Sequence, residues 1–165
     1  MTIRRASESD IPAIRMIAYA TWPVSYYPGI LTAEQLMYML DLLYSEAALT
    51  TAMREKNQHF YLLDHEEMTI GFTGLTHHHG GGTVTHLNKL YVRPSVQGTG
   101  AGKTLLKHAM RTARENGDTA LELNVNKRNK AIGFYEHMGL RILRDEVIDI
   151  GSGYVMDDYV MGGPL

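Results

Sequence analysis

Cysteine is absent from the chain. Disulfides, thiolate metal sites and cysteine nucleophiles are therefore excluded. Positive charge is not in excess either. Lys and Arg number 16 against 18 Asp and Glu, a formal net charge of −2. Binding to a phosphate backbone needs clustered Lys and Arg, so no nucleic-acid partner is expected. No run of about 18 apolar residues occurs, so no membrane partner is expected. The opening MTIRRASESD lacks the apolar stretch of a secretory signal, and the expected location is cytoplasmic. Repeats, low-complexity tracts and linkers are missing too. With 165 residues, 44% of them hydrophobic and 21% charged, the chain reads as one globular domain over residues 1–165 with room for a real core.

What is present is a regular alternation of patterns. TIRRA (2–6) reads as a short strand. Ser7 follows as an N-cap with Asp10 three residues on, and Ile11, Ile14 and Ile17/Ala18 set a first helix to about Thr21. TWPVSYYPGI (21–30) reads as an aromatic loop punctuated by Pro23, Pro28 and Gly29. Thr32 caps a second helix with Leu36, Met39/Leu40 and Leu43 on its apolar face, and 45–56 forms a third. HFYLLD (59–64) and MTIGFTGLTH (68–77) are strands joined by a polar turn, HHHGGG (77–82) is a loop, and TVTHLNKLYV (83–92) is a strand ending before Pro94. A helix over 100–116 carries Leu105/Leu106, Ala109 and Ala113 on one side and stops at Gly117. TALELNV (119–125) is a strand, 129–138 a short helix closed by Gly139, and 140–150 with 154–161 a hairpin around GSG. This order predicts an α/β (α+β) domain whose sheet is antiparallel early, with a βαβ passage in the middle.

The segment VRPSVQGTGAGKTLL (92–106) looks at first like a nucleotide-binding P-loop. The pattern G-x-x-x-x-G-K-[ST] requires glycine at 97, where Gln97 stands, and counting from Gly98 leaves the loop one residue short. The candidate Walker B, FYLLD (60–64), precedes the loop. Gly98, Gly100 and Gly102 also miss the dinucleotide spacing G-x-G-x-x-G. What remains is a strand, a glycine-rich turn and a helix N-terminus. Such a unit binds anions generally, because the first helical N–H groups lack partners and the macrodipole adds positive character. The bland alternative is a turn that merely starts a helix.

LYVRPSVQGTGAGKTLL resembles motif A of the GNAT superfamily of acetyl-CoA-dependent N-acetyltransferases, [QR]-x-x-G-x-[GA] after an apolar strand and V-x-P. Val92, Pro94, Gln97, Gly100 and Gly102 match. LELNVNKRNKAIGFYEHMGL (121–140) resembles motif B of the same superfamily. Nearly the whole chain is covered by the resemblance. It implies a mixed, mostly antiparallel twisted sheet of about seven strands flanked by helices, with a central strand pair splayed to admit coenzyme A. It also implies a pyrophosphate held by backbone amides of Gly98, Thr99, Gly100, Ala101, Gly102 and Lys103, which leaves Lys103 to contact phosphate or solvent. The pantetheine arm would pair with Leu90, Tyr91 and Val92 in the manner of an added strand, where a backbone N–H would polarise the thioester carbonyl. Tyr135 would protonate the departing thiolate, its phenol having a matching basicity. Asn129 would touch the cofactor, although one residue fewer separates it from Tyr135 than in many relatives, so the helix start must be shifted or tightened.

The acceptor must attack as a neutral amine. Some relatives carry a Glu for this purpose where Asn124, which cannot take a proton, stands; Glu122 is nearby but should point to the opposite face from Leu121 and Leu123. His86 is one substitute base; Tyr26 or Tyr27, acting through a water, is another. Trp22, Tyr26 and Tyr27 could wall an amine by cation–π contact, or could simply anchor the loop to the core. Tyr154, Asp157, Asp158 and Tyr159 would suit a cationic acceptor: a polyamine, an aminoglycoside or a peptide N-terminus. The three histidines of HHHGGG cannot converge on one ion without a tight turn, so no metal is expected. A small nucleotide-dependent kinase and a non-catalytic acyl-CoA sensor are the competing readings. Self-association as a homodimer stays open, since terminal hairpins offer edges.

Overall fold

The computed structural model describes all residues, Met1–Leu165. Strands β1 (Thr2–Arg5), β2 (His59–His65), β3 (Met68–Thr76), β4 (Val84–Val92), β5 (Ala120–Asn126), β6 (Arg141–Gly151) and β7 (Tyr154–Pro164) alternate with helices α1 (Ile11–Tyr26), α2 (Ala33–Tyr44), α3 (Glu46–Arg54), α4 (Ala101–Glu115) and α5 (Ala131–His137). The strands form a seven-stranded sheet in the order β1-β2-β3-β4-β5-β7-β6. The pairs β1–β2, β2–β3, β5–β7 and β6–β7 are antiparallel and β4–β5 is parallel. The parallel ladder is short, running from Val84↔Ala120 to Leu87↔Leu123. Packing divides the chain into two compact units, Met1–Thr76 with Asn88–Ala109, and His77–Leu87 with Met110–Leu165.

In the first unit, the apolar residues of α1 and α2 recur at three- and four-residue spacing and are buried as that spacing requires. Ile14 and Ile17 are fully enclosed, as are Leu62 and Leu63 of β2. Each such side chain contributes about 1.5–3 kcal/mol against exposure. Thr32 begins α2 with a reciprocal cap: its Oγ1 accepts from Gln35 N at 3.2 Å, and its own N–H donates to Gln35 Oε1 at 3.2 Å. Tyr44 rather than Leu43 completes the buried face of α2. Leu63, Ile70, Ala101 and Leu105 form a second apolar cluster, with Ile3, Leu90, Val92 and Val96 packed on it.

The aromatic stretch after Thr21 is a correction to the sequence reading. It is not a loop up to Tyr26: α1 continues through Pro23 to Tyr26. Pro23 has no N–H to give, yet the helix gains more from continuing. Thr21 and Trp22 are buried, Thr21 Oγ1 donates to Val92 O at 3.3 Å, and Tyr27 N reaches Pro23 O at 3.2 Å.

In the second unit, β5 alternates strictly. Leu121, Leu123 and Val125 are buried, while Glu122 and Asn124 lie together on the opposite face. Gly117 (φ 86°) and Gly139 (φ 93°) occupy the left-handed region, ending α4 and α5 as expected. The HHHGGG segment connects β3 and β4 as expected, with a short 3-10 helix at His79–Gly81, and it is tied down by hydrogen bonds. Asp118 accepts from His78 N at 2.9 Å and from Thr85 Oγ1 at 2.6 Å, and its Oδ1 lies 2.6 Å from His78 Nδ1. No acid stands near in sequence; the fold brings this one. These bonds and His78 hold the Asp118 carboxyl below the usual range against the opposing effect of burial.

Candidate active site

Two glycines shape the loop before α4. Gly98 (φ 82°) and Gly100 (φ 91°) adopt the left-handed region, and a Cβ at either would meet nothing within 4 Å. The backbone is therefore open to an incoming group on the side a side chain would cover. Thr104 N makes the first bond of α4, to Gly100 O at 3.0 Å, so the N–H groups of Ala101, Gly102 and Lys103 precede the internal ladder. α4 is 15 residues long and carries its full macrodipole. The arrangement suits a phosphate-bearing ligand held by main chain. Lys103 and Gln97 are both exposed.

The strand end Leu90–Val92 sits against a dense aromatic group. Trp22 is only 4% exposed; its ring lies 4.7 Å from Tyr26, 5.7 Å from Tyr44 and 5.8 Å from Tyr91. Tyr26 and Tyr91 share a hydrogen bond between hydroxyls at 2.8 Å. Trp22 thus belongs to the core, while Tyr27, 48% exposed, stands beyond the helix. Lys89, which the sequence did not single out, lies 5.5 Å over Phe60 and 5.6 Å over Tyr44, with Nζ 3.3 Å from Gln58 Oε1. Burial, with Lys56 adding repulsion, lowers its pKa to about 8. Only the contacts of a distant helix and strand mark this lysine out, so no local pattern could have found it.

In the second unit, Tyr135 is buried on α5 beside Phe134. Asn129 precedes α5, and its Oδ1 accepts from Ala131 N at 2.8 Å. The helix starts at Ala131 rather than 129, and Asn129 spends its side-chain oxygen on that start. His86 Nε2 lies 3.1 Å from Asn124 Oδ1, and Asn124 Nδ2 lies 3.5 Å from Asp158 Oδ2. Burial lowers the pKa of His86, partly offset by Asn124, so the imidazole is neutral at pH 7. Asp158 has no solvent-accessible surface and its Oδ1 lacks a hydrogen-bond partner. Burial raises its pKa to about 6, opposed by Asn124, while Glu146 and Asp157 add to the rise. Tyr159 faces elsewhere in this set: Lys127 Nζ lies 5.4 Å over its ring and pairs with Asp145 at 2.9 Å and Asp157 at 3.0 Å. Asp157 is thereby occupied. No group of three or more His, Asp or Glu side chains is disposed to hold a metal ion, and no helix is long and apolar enough to cross a membrane.

Known proteins match this arrangement along its length. The family model described as an acetyltransferase (GNAT) domain matches residues 32–156. The peptidyl-lysine N-acetyltransferase YjaB of Escherichia coli is 33% identical over 159 residues, covering 93% of this chain and 92% of its own. An uncharacterised N-acetyltransferase of Mycobacterium tuberculosis is 26% identical over 154 residues, 93% of this chain and 96% of its own. Among solved structures, the PaiA N-acetyltransferase of Thermoplasma acidophilum in complex with coenzyme A superposes with a TM-score of 0.81 at 23% identity, over 99% of this chain and 98% of that one. The fold is thus shared with a solved structure, and with the family match the small-kinase reading falls away. The chain belongs to the GNAT family and is an N-acetyltransferase.

Proposed function

We propose that the chain, as one domain over residues 1–165, moves an acetyl group from acetyl-CoA to the ε-amine of a peptide lysine by direct attack. The observation that carries the co-substrate is the turn Gly98–Lys103: left-handed glycines with open space above them, leading into a 15-residue helix. Coenzyme A is bound in the PaiA structure, and its diphosphate has the charge such a turn accepts. In this reading Gln97 through Lys103 hold the diphosphate, with main chain of Leu90, Tyr91 and Val92 aligning the pantetheine arm and Asn129 in a supporting contact. The YjaB relative, a peptidyl-lysine N-acetyltransferase by name, supports lysine as acceptor.

Acetyl-CoA supplies an activated acetyl as a thioester; the chain supplies proton management. His86 takes one proton from the acceptor's ammonium, its lowered pKa keeping it neutral and able to accept. Tyr135 gives its hydroxyl proton to the departing thiolate as the C–N bond forms and the C–S bond breaks. The second amine proton then restores Tyr135, so one proton leaves to solvent per turnover. Tyr27 is the aromatic of the acceptor wall, since Trp22 and Tyr26 are engaged in packing. A thermal-shift titration tests the co-substrate. Acetyl-CoA at 100 times its Kd should stabilise the wild type by about 2.7 kcal/mol and leave Gly100→Glu unmoved. Equal shifts in both proteins would remove the turn from the site.

A further inference from the structure

The two edges of the sheet differ in kind. β1 at one end has four residues. β6 at the other has eleven, about twice the usual strand length. An edge strand presents a row of main-chain N–H and C=O groups with no strand beside them, and such rows are commonly blunted by shortness, proline or lysine. β1 is short. β6, RILRDEVIDIG, is long and has neither proline nor lysine. It also exposes Ile142 (44%) and Val147 (64%). Its register with β7 slips at Leu143 and again at Ile150, and residues 144–149 between those bulges pair without a break against 160–155.

Register sorts the side chains of β6 by face. Ile142, Asp145 and Val147 stand opposite Met161, Tyr159 and Asp157, alternate residues of β7, so they share one face. Arg144 and Glu146, opposite Val160 and Asp158, share the other. The strand is thereby complementary to itself read backwards. With a second copy laid antiparallel beside it and the twofold axis at Asp145, Arg144 of each copy meets Glu146 of the other. One step further out, past the bulge at Leu143, Ile142 of each copy meets Val147 of the other. Both pairings join residues of one face, as a ladder requires, and an isologous contact makes each of them twice.

We propose that β6 is the interface of a symmetric dimer, in which a second copy of this chain pairs antiparallel about Asp145 through reciprocal Arg144–Glu146 and Ile142–Val147 contacts. Neighbouring registers are worse. An axis at Glu146 sets that carboxylate against its own copy, an axis at Val147 sets Asp145 against Asp149, and an axis at Arg144 sets two guanidinium groups together. The one like-charge meeting in the favoured register, Asp145 with its copy, is offset within each chain, since Lys127 Nζ lies 2.9 Å from Asp145. Arg144 already reaches Glu122 at 3.4 Å, and its fork has donors left for a second carboxylate. Dimer formation is independent of which amine accepts the acetyl group.

Sedimentation equilibrium of the intact protein, over a range of concentrations, reads the association directly. The wild type should approach twice the mass of the 18.5 kDa chain. Arg144→Glu and Glu146→Arg each set like charges across the axis, and each should raise the dissociation constant of the dimer about tenfold or more. Mixed in equal amounts, these two variants should associate again, because every pair across the axis of the mixed dimer is then opposite in charge. The double variant Arg144→Glu/Glu146→Arg should dimerise as the wild type does. Val147→Lys, at a position exposed in the single chain, should weaken the dimer without unfolding the protomer, which circular dichroism checks. A wild type monomeric at every concentration would overturn the proposal and leave the edge to a different chain. A dimer indifferent to these substitutions, or single variants that stay apart on mixing, would overturn it as well.

Discussion

At the scale of single residues, Tyr135 and Lys89 make separable claims. Tyr135→Phe removes the hydroxyl from an otherwise buried ring, so packing is kept and a proton donor is lost. Turnover should fall about 100-fold or more, with the acetyl-CoA thermal shift retained; steady-state kinetics beside the titration check this. Lys89 is a stability claim. Its folded pKa, about 8, lies below its ordinary 10.5, so between these values the unfolded chain binds more protons than the folded one. Stability from this group therefore rises as pH increases from about 8. Denaturant melts at pH 7.5 and 9.5 should show that gain in the wild type and not in Lys89→Met. Above pH 10 buried Tyr44, whose pKa is raised, pulls the other way. The residues that stand out in the sequence are those in short patterns: Gln97, Gly100, Gly102 and Tyr135. Lys89 and Asp158 were hard to read because their character comes from partners tens of residues away, and Asp118 escaped for the same reason.

Elements were read well where one periodicity ran without interruption. The buried face of α4, at Leu105, Leu106, Ala109 and Ala113, is the one the spacing gave, and the alternation of β5 placed Glu122 with Asn124. α1 was cut short because Pro23 reads locally as a stop. The burial of Trp22 and Thr21, which carries the helix past that proline, is a tertiary effect. The asymmetry between glycines is testable at this scale. Gly71 has no room: a Cβ there would lie 2.9 Å from Val92 Cγ1 and 3.0 Å from the Tyr91 carbonyl. Gly71→Ala should cost about 1–3 kcal/mol, read as a lowered Tm. Gly98→Ala meets no atom and carries only the left-handed backbone penalty, about 1–2 kcal/mol, but should weaken acetyl-CoA binding, which Gly71→Ala tests only through stability.

For the whole molecule, the order of elements was enough to give a mixed seven-stranded sheet, because a single helical crossover between β4 and β5 forces one parallel pair among hairpins. Strand order at the far side, with β7 between β5 and β6, is not written in any local pattern. Gly162 permits it at one point, since its missing side chain lets β7 approach to where a Cβ would sit 2.5 Å from Leu121 O. Acidic pH should act on the molecule through Asp158 in a defined direction. Its folded pKa is raised above 3.8 to about 6, so its contribution favours the folded state below pH 4 and is lost as pH rises through 6. Asp158→Asn should flatten the melt-against-pH curve over that window, by comparison of denaturation midpoints at pH 4.5 and 7.

Transfer of isotopically labelled acetyl from acetyl-CoA to a peptide with a blocked N-terminus and one internal lysine, followed by mass spectrometry, tests the central claim most directly. The account predicts label on the lysine ε-amine in step with release of free CoA thiol, and little of either with Tyr135→Phe or Gly100→Glu. Thiol release without labelled peptide, or equal labelling by the wild type and both variants, would contradict it.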